Sequence, residues 1–158
     1  MYSLVDKIEG VELLSSLEDQ LNKAIGELQL LDQLINEVRA RISTLQAIIT
    51  EHEGALSFIE ELLKSESNMK ILVPIGGGNY VHAEITDRDK VEVSVGAGVI
   101  VTKSPQEGKE IIEKRKETLL QAVQNYEQRL QQYLNKAEEL RRVIEAISAR
   151  IREREAQR

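Results

Sequence analysis

Residues 72–105 read LVPIGGGNYVHAEITDRDKVEVSVGAGVIVTKSP, and this stretch decides the fold. Val81, Ala83 and Ile85 alternate with Tyr80, His82 and Glu84; Val91, Val93 and Val95 alternate with Glu92 and Ser94; Val99 and Val101 follow. A period of two places such residues on one face of a strand. Gly76-Gly77-Gly78-Asn79, Asp87-Arg88-Asp89 and Gly96-Ala97-Gly98 interrupt the alternation with turn chemistry. The pattern predicts four short strands in two hairpins, about 71–75 with 80–86 and about 90–95 with 99–103. Isolated hairpins are marginal in water and their edges invite pairing. The face carrying Val73, Ile75, Val81, Ile85, Val91, Val93, Val95, Val99 and Val101 therefore needs a cover, which hairpins of neighbouring subunits are expected to supply.

On both sides of this segment the period changes to 3.5. The N-terminal arm runs Leu14, Leu17, Leu21, Ala24, Leu28, Leu31, Ile35, Val38, Ile42, Leu45, Ile49, His52, Leu56, Ile59, Leu63, with fourteen of fifteen positions apolar. The C-terminal arm runs Ile112, Lys116, Leu119, Val123, Tyr126, Leu130, Tyr133, Ala137, Leu140, Ile144, Ile147, Ile151, with eleven of twelve apolar. Such a stripe keeps one seam facing a partner helix. The second arm opens on Ser104-Pro105-Gln106-Glu107, a capping box with proline at the first helical position. Each arm is about 75 Å long at 1.5 Å per residue. Equal arms around a short middle predict an α+β chain: a long antiparallel two-helix coiled coil with two central β-hairpins. The expected parts are an N-terminal helix over about 3–67, the hairpins over 70–104 and a C-terminal helix over about 105–156, all in one subunit spanning 1–158.

Composition agrees. Of 158 residues 30% are charged and only 3% aromatic, the balance of long helices rather than of a large globular core. The net charge of −6 is uneven: residues 1–66 hold 5 basic and 13 acidic side chains, residues 105–158 hold 12 and 10. Arms of opposite sign favour lying side by side. An acidic chain is a poor non-specific ligand for nucleic acid, and no nucleic-acid partner is expected. No cysteine is present, which removes disulfides and thiol chemistry and fits the cytoplasm. No apolar run approaches the ~18 residues of a membrane span, so no membrane partner is expected.

Nothing in the motifs points to catalysis. Gly76-Gly77-Gly78 lacks the Gly-Lys-Ser/Thr that opens a phosphate-binding helix, and it leads into a strand. His52 sits on the seam and His82 on a strand face, with no cluster of metal ligands around either. No enzyme activity, cofactor or metal is expected. The arginines near the C-terminus alternate with acidic residues and read as a solvated helix end. Tyr2, Leu4, Val5, Ile8, Val11, Leu13 and Leu14 lie where the facing arm runs out past Ile151, so some of them are expected to be exposed at the tip as a sticky surface for other proteins.

Two blocks carry a family resemblance: VPIGGGNYVHAEI at residues 73–85 and DKVEVSVGAGVIVTKSPQEG at residues 89–108. Pro74, Gly76, Gly77 and Gly78, then Asp89, Lys90, Val91, Val93, Gly96, Gly98, Val99 and Ser104, match the pattern of the α class of archaeal prefoldin subunits, which this chain resembles. The resemblance implies an ATP-independent chaperone, a holdase, assembled with prefoldin β subunits as a hexamer of two α and four β. It implies that the hairpins form intersubunit β-barrels, and that the coiled-coil tips grip unfolded client proteins and pass them to a group II chaperonin. By position, the client-binding tip comprises Leu4, Val5, Ile8, Val11 and Leu14 with Ile147 and Ile151 of the facing arm. The other reading is a filament-forming structural relative built by end-on pairing of hairpin edges.

Overall fold

The computed structural model describes the backbone of residues 4–157 and the side chains of residues 10–157. Helix α1 spans Leu4–Lys64, strands β1 to β4 span Met69–Gly76, Asn79–Ile85, Val91–Gly96 and Val99–Lys103, and helix α2 spans Pro105–Ala156. The chain divides into two compact units, one of Met1–Ser43 with Gln124–Arg158 and one of Thr44–Val123.

In the first unit the seam residues Leu31, Ile35 and Ala137 are buried together, with Leu28, Leu130, Tyr133 and Leu140 packed against them. Leu17, Ala24 and Val38 extend the buried stripe along α1. Arg141 reaches across the seam to Asp32, 3.3 Å away. No described polar side chain is buried, so this is a purely apolar two-helix core.

In the second unit Ile49, Ile59 and Val123 are buried and Leu119 is half-buried. Lys109 pairs with Glu60 at 3.0 Å and Lys116 with Glu53 at 2.9 Å. As the α2 number rises the α1 number falls, so the helices are antiparallel. Lys116 is the one polar position of the α2 stripe, and it leaves the seam by extending its ammonium to Glu53. His52, the one polar position of the α1 stripe, turns its Nδ1 to the Ile48 carbonyl at 2.8 Å. Because Glu53 follows His52, both polar interruptions fall at the same level of the seam.

At its last turn α1 departs from the strict heptad. Leu62 is buried at 3% exposure, whereas Leu63, the next position of the 3-4 alternation, is 46% exposed. The ion pairs at Glu60 and Glu53 set a register in which Leu62 lies level with the first turn of α2. A step of three after Ile59 turns the side chain towards that beginning helix; a step of four turns it to solvent. The helix then ends as Ser65 N–H closes on the Glu61 carbonyl at 3.0 Å.

The strands form two separate two-stranded sheets, β1 with β2 and β3 with β4, both antiparallel. Val73 lies opposite Val81 and Val93 opposite Val101, so the alternating valines share a face as their spacing predicts. β1 begins earlier than the sequence pattern suggests because Met69 and Lys70 still find partners in Ile85 and Glu84. Both hairpins turn in the same way. A bulge precedes a glycine at φ 100° (Gly76) or 101° (Gly96), and two left-handed residues follow: Gly77 and Gly78 in one, Ala97 (φ 49°) and Gly98 in the other. Two positive φ values in a two-residue loop match the right-handed twist of the strands. Ala97 is the misfit, since a Cβ in the left-handed region costs about 1–2 kcal/mol. Ala97→Gly is therefore expected to raise stability by about 0.5–1 kcal/mol after the extra chain entropy of glycine is subtracted. A higher midpoint of thermal unfolding would show it; an unchanged or lower one would mean that Ala97 is not strained.

Candidate functional site: the hairpin faces and the arm ends

The capping box forms as its sequence suggests and fixes where α2 leaves the hairpins. Ser104 N–H donates to Glu107 Oε2 at 3.0 Å, and Glu107 N–H donates to Ser104 Oγ at 3.2 Å. The Ser104 backbone bond, helped by the Ser104 hydroxyl and by Lys103, lowers the Glu107 carboxyl below its usual value. Four residues after Ser104, Gly108 faces β3. A Cβ there would lie 2.6 Å from Val91 Cγ2 and 3.6 Å from Val93 Cγ2, so the helix approaches the sheet at a distance only glycine permits. Further along, Arg115 donates to the Ser94 carbonyl at 2.6 Å. On the other hairpin's approach, Arg88 donates to the Ser67 carbonyl at 2.9 Å and ties the two connecting segments together.

This docking divides the residues named from the valine pattern. Val93 is buried and Val91 half-buried beneath the start of α2, and Ile85 and Val101 are also half-buried. Val73, Ile75, Val81, Val95 and Val99 are exposed. The structure adds residues that the period-two reading passed over: Leu72, Tyr80 and Ile100 are exposed as well. Leu72 opposes His82 and Pro74 opposes Tyr80 on the reverse face of the first hairpin. Both faces of that hairpin thus carry uncovered apolar side chains. The signal was present in the continuous apolar runs 71–75 and 99–101, which mark strands covered on both sides rather than one.

The second surface lies where α1 starts and α2 ends. Val11 and Leu13 are 54% and 43% exposed. Leu14, Ile147 and Ile151 are half-buried in the seam. Leu4, Val5 and Ile8 lie outside the described side chains. Leu13 and Leu17 of α1 and Arg150, Glu153, Arg154 and Gln157 of α2 line an open groove.

The electrostatics of the second unit join the two arms. Hydrogen bonding from Lys109, reinforced by its charge, lowers the Glu60 carboxyl; the same bond raises the Lys109 ammonium. Stability from Glu60 is present above the ordinary carboxylate range and fades as acid passes its lowered value. Stability from Lys109 is present below the ordinary ammonium range and fades only as alkali passes its raised one. The pair therefore acts throughout the intervening pH range. Among the described residues no group of three or more metal-ligating side chains converges, and no helix is long and apolar enough to cross a membrane.

Paired long helices joined by two incompletely covered hairpins define a coiled-coil assembly subunit. Residues 31–150 match the family of prefoldin subunits. The chain is 34% identical over 110 residues to the prefoldin α subunit of Methanococcoides burtonii, covering 70% of this chain and 79% of that one. It is 35% identical over 98 residues to the prefoldin α subunit of Thermofilum pendens, covering 62% and 76%. Its structure also matches a chain of the filamentous PFD of Methanocaldococcus jannaschii solved by cryo-EM, with a TM-score of 0.60 and 28% identity over 75% of this chain and 96% of that one. The chain belongs to the prefoldin family, and its kinship is with the α subunits of archaeal prefoldins. Prefoldins are chaperones built from several subunits, and the uncovered hairpin faces suit a chain that joins others of its family.

Proposed function

We propose that this chain is the α-class subunit of an ATP-independent holdase. In this reading it assembles in the cytoplasm with prefoldin β subunits, as a hexamer of two α and four β. The hairpin valines, with Leu72, Tyr80 and Ile100, build intersubunit β-barrels. The arm ends capture unfolded proteins, which are then handed to a group II chaperonin. No catalysis is involved: each arm end offers a few apolar side chains worth about 1–2 kcal/mol apiece, and several ends acting on one client multiply the affinity. The exposure of Val11 and Leu13 at the end of the helix pair is the observation that carries this reading.

The test removes residues 1–13 and 145–158 and assembles the shortened chain with the β subunit. Light scattering of a diluted, chemically unfolded client is expected to show protection by the full complex and little or none by the shortened one. The elution of the complex should still mark a hexamer of the shorter mass. Equal protection by the shortened complex would place client capture elsewhere.

A second reading is supported by the filamentous solved relative, which matches over 96% of its length. Here the chain alone polymerises through its hairpins as a structural protein. Electron microscopy of the purified chain separates the two, since long filaments without a β subunit would favour the second.

A further inference from the structure

The groove at the arm ends is not merely apolar. Leu13 and Leu17 line it together with Arg150 and Arg154, one helical turn apart on α2, and with Glu153 and Gln157. Elsewhere on α2 the guanidiniums are engaged: Arg141 with Asp32, Arg142 with Glu138, and Arg152 with the Ser148 carbonyl. Among the described residues neither guanidinium has an ion pair or a hydrogen bond; only the backbone carbonyl of Arg154 is engaged, by Gln157 N–H at 3.3 Å. The groove's own charge is net positive, two guanidiniums against one carboxylate.

We propose, building on the holdase reading, that this groove selects among apolar client segments for those that carry a carboxylate. An extended segment laid over the exposed Leu13 brings its alternate side chains to Arg150 and Arg154, where an Asp or Glu meets two planar donors suited to carboxylate geometry. A neutral segment keeps the apolar contact alone. A lysine in the same place meets two like charges. The occupant is thus a stretch of unfolded protein in which apolar residues surround an acidic one. Each exposed charge pair contributes a factor of about 1.5–5, so the two arginines together give a preference of about two- to twenty-five-fold.

Three fluorescein-labelled ten-residue peptides test this, identical in five apolar positions and differing only in a central Glu, Gln or Lys. Anisotropy titrations use the full-length chain, alone and assembled with the β subunit. The expected order of affinity is Glu, then Gln, then Lys. The spread should narrow in high salt, vanish in Arg150→Gln/Arg154→Gln and widen in Glu153→Gln. Leu13→Ser should weaken all three peptides alike, and circular dichroism should confirm that every variant stays helical. Equal affinities in the intact chain, with Leu13→Ser still weakening all three, would overturn charge selection and leave client capture at the arm ends standing. An order that survives the double arginine substitution would also overturn it. No binding of any peptide, together with full client protection by the chain lacking residues 1–13 and 145–158, would sink the holdase site and this inference with it.

Discussion

Val73→Asp/Val81→Asp is expected to leave the arms helical and to abolish assembly with the β subunit. The two valines face each other across the first hairpin and are 37% and 44% exposed, so the isolated chain can hydrate a carboxylate at either position. In a closed barrel between subunits that hydration is lost. An unpaired carboxylate taken from water costs several kcal/mol even after relaxation. Two of them weaken association by more than about a thousandfold, since each 1.4 kcal/mol is a factor of ten. Size exclusion with light scattering should show separate components where the parent forms one complex, while far-ultraviolet circular dichroism stays close to that of the parent. A complex of unchanged mass and midpoint would mean that this face is not what joins the subunits.

The second large effect concerns Gly108. Its missing Cβ lets α2 lie on Val91 and Val93, with Val91 Cγ2 only 2.6 Å from where that atom would be. Gly108→Ala gains about 1 kcal/mol of helix propensity, but forcing a methyl into this contact costs about 1–3 kcal/mol. Gly108→Leu adds three further carbons where even one does not fit, and is expected to part the second hairpin from the helix, lowering stability by more than about 3 kcal/mol. The control is the double change Gly108→Ala/Val91→Ala, which removes the opposing methyls and should recover most of the alanine loss. A cycle of urea unfolding on the four proteins measures the coupling directly. Additive effects would show that the close approach does not limit the packing.

Much of this was legible in the sequence because the arms and the strands have different periods. Every α2 stripe residue from Ile112 to Ile151 is at least half-buried, and Leu17 through Ile59 hold the α1 seam. The Ser104–Glu107 box was readable because its residues are local to each other. What was missed depends on residues distant in sequence. Leu62 replaces Leu63 because of where α2 begins, and the heptad count on α1 alone cannot know that. Gly108 carries no signal of its own in the sequence; only the proximity of Val91 gives it a purpose. Leu72, Tyr80 and Ile100 were passed over by a search for alternation, which is blind to a strand that is apolar on both faces. At the arm ends the pattern named Val11 and Leu13 as exposed but not the groove that Leu13 lines, because most of its lining comes from the side chains of α2.

The shared level of His52 and Lys116 has a consequence for how such a chain can change. A uniform apolar seam tolerates sliding by seven residues, because one heptad resembles the next. A polar interruption on each helix, matched at one level and flanked by the Lys109–Glu60 and Lys116–Glu53 pairs, penalises that slide near the hairpins. Beyond this level α1 and α2 offer only apolar repeats. One heptad can therefore be removed from each, or added to each, without altering the alignment beside the strands. The length of each helix becomes a quantity adjustable in whole heptads, about 10 Å at a time at 1.5 Å per residue. In the holdase proposed above, clients of different size would be met by the length of the helices alone, with the hairpin faces left as they are.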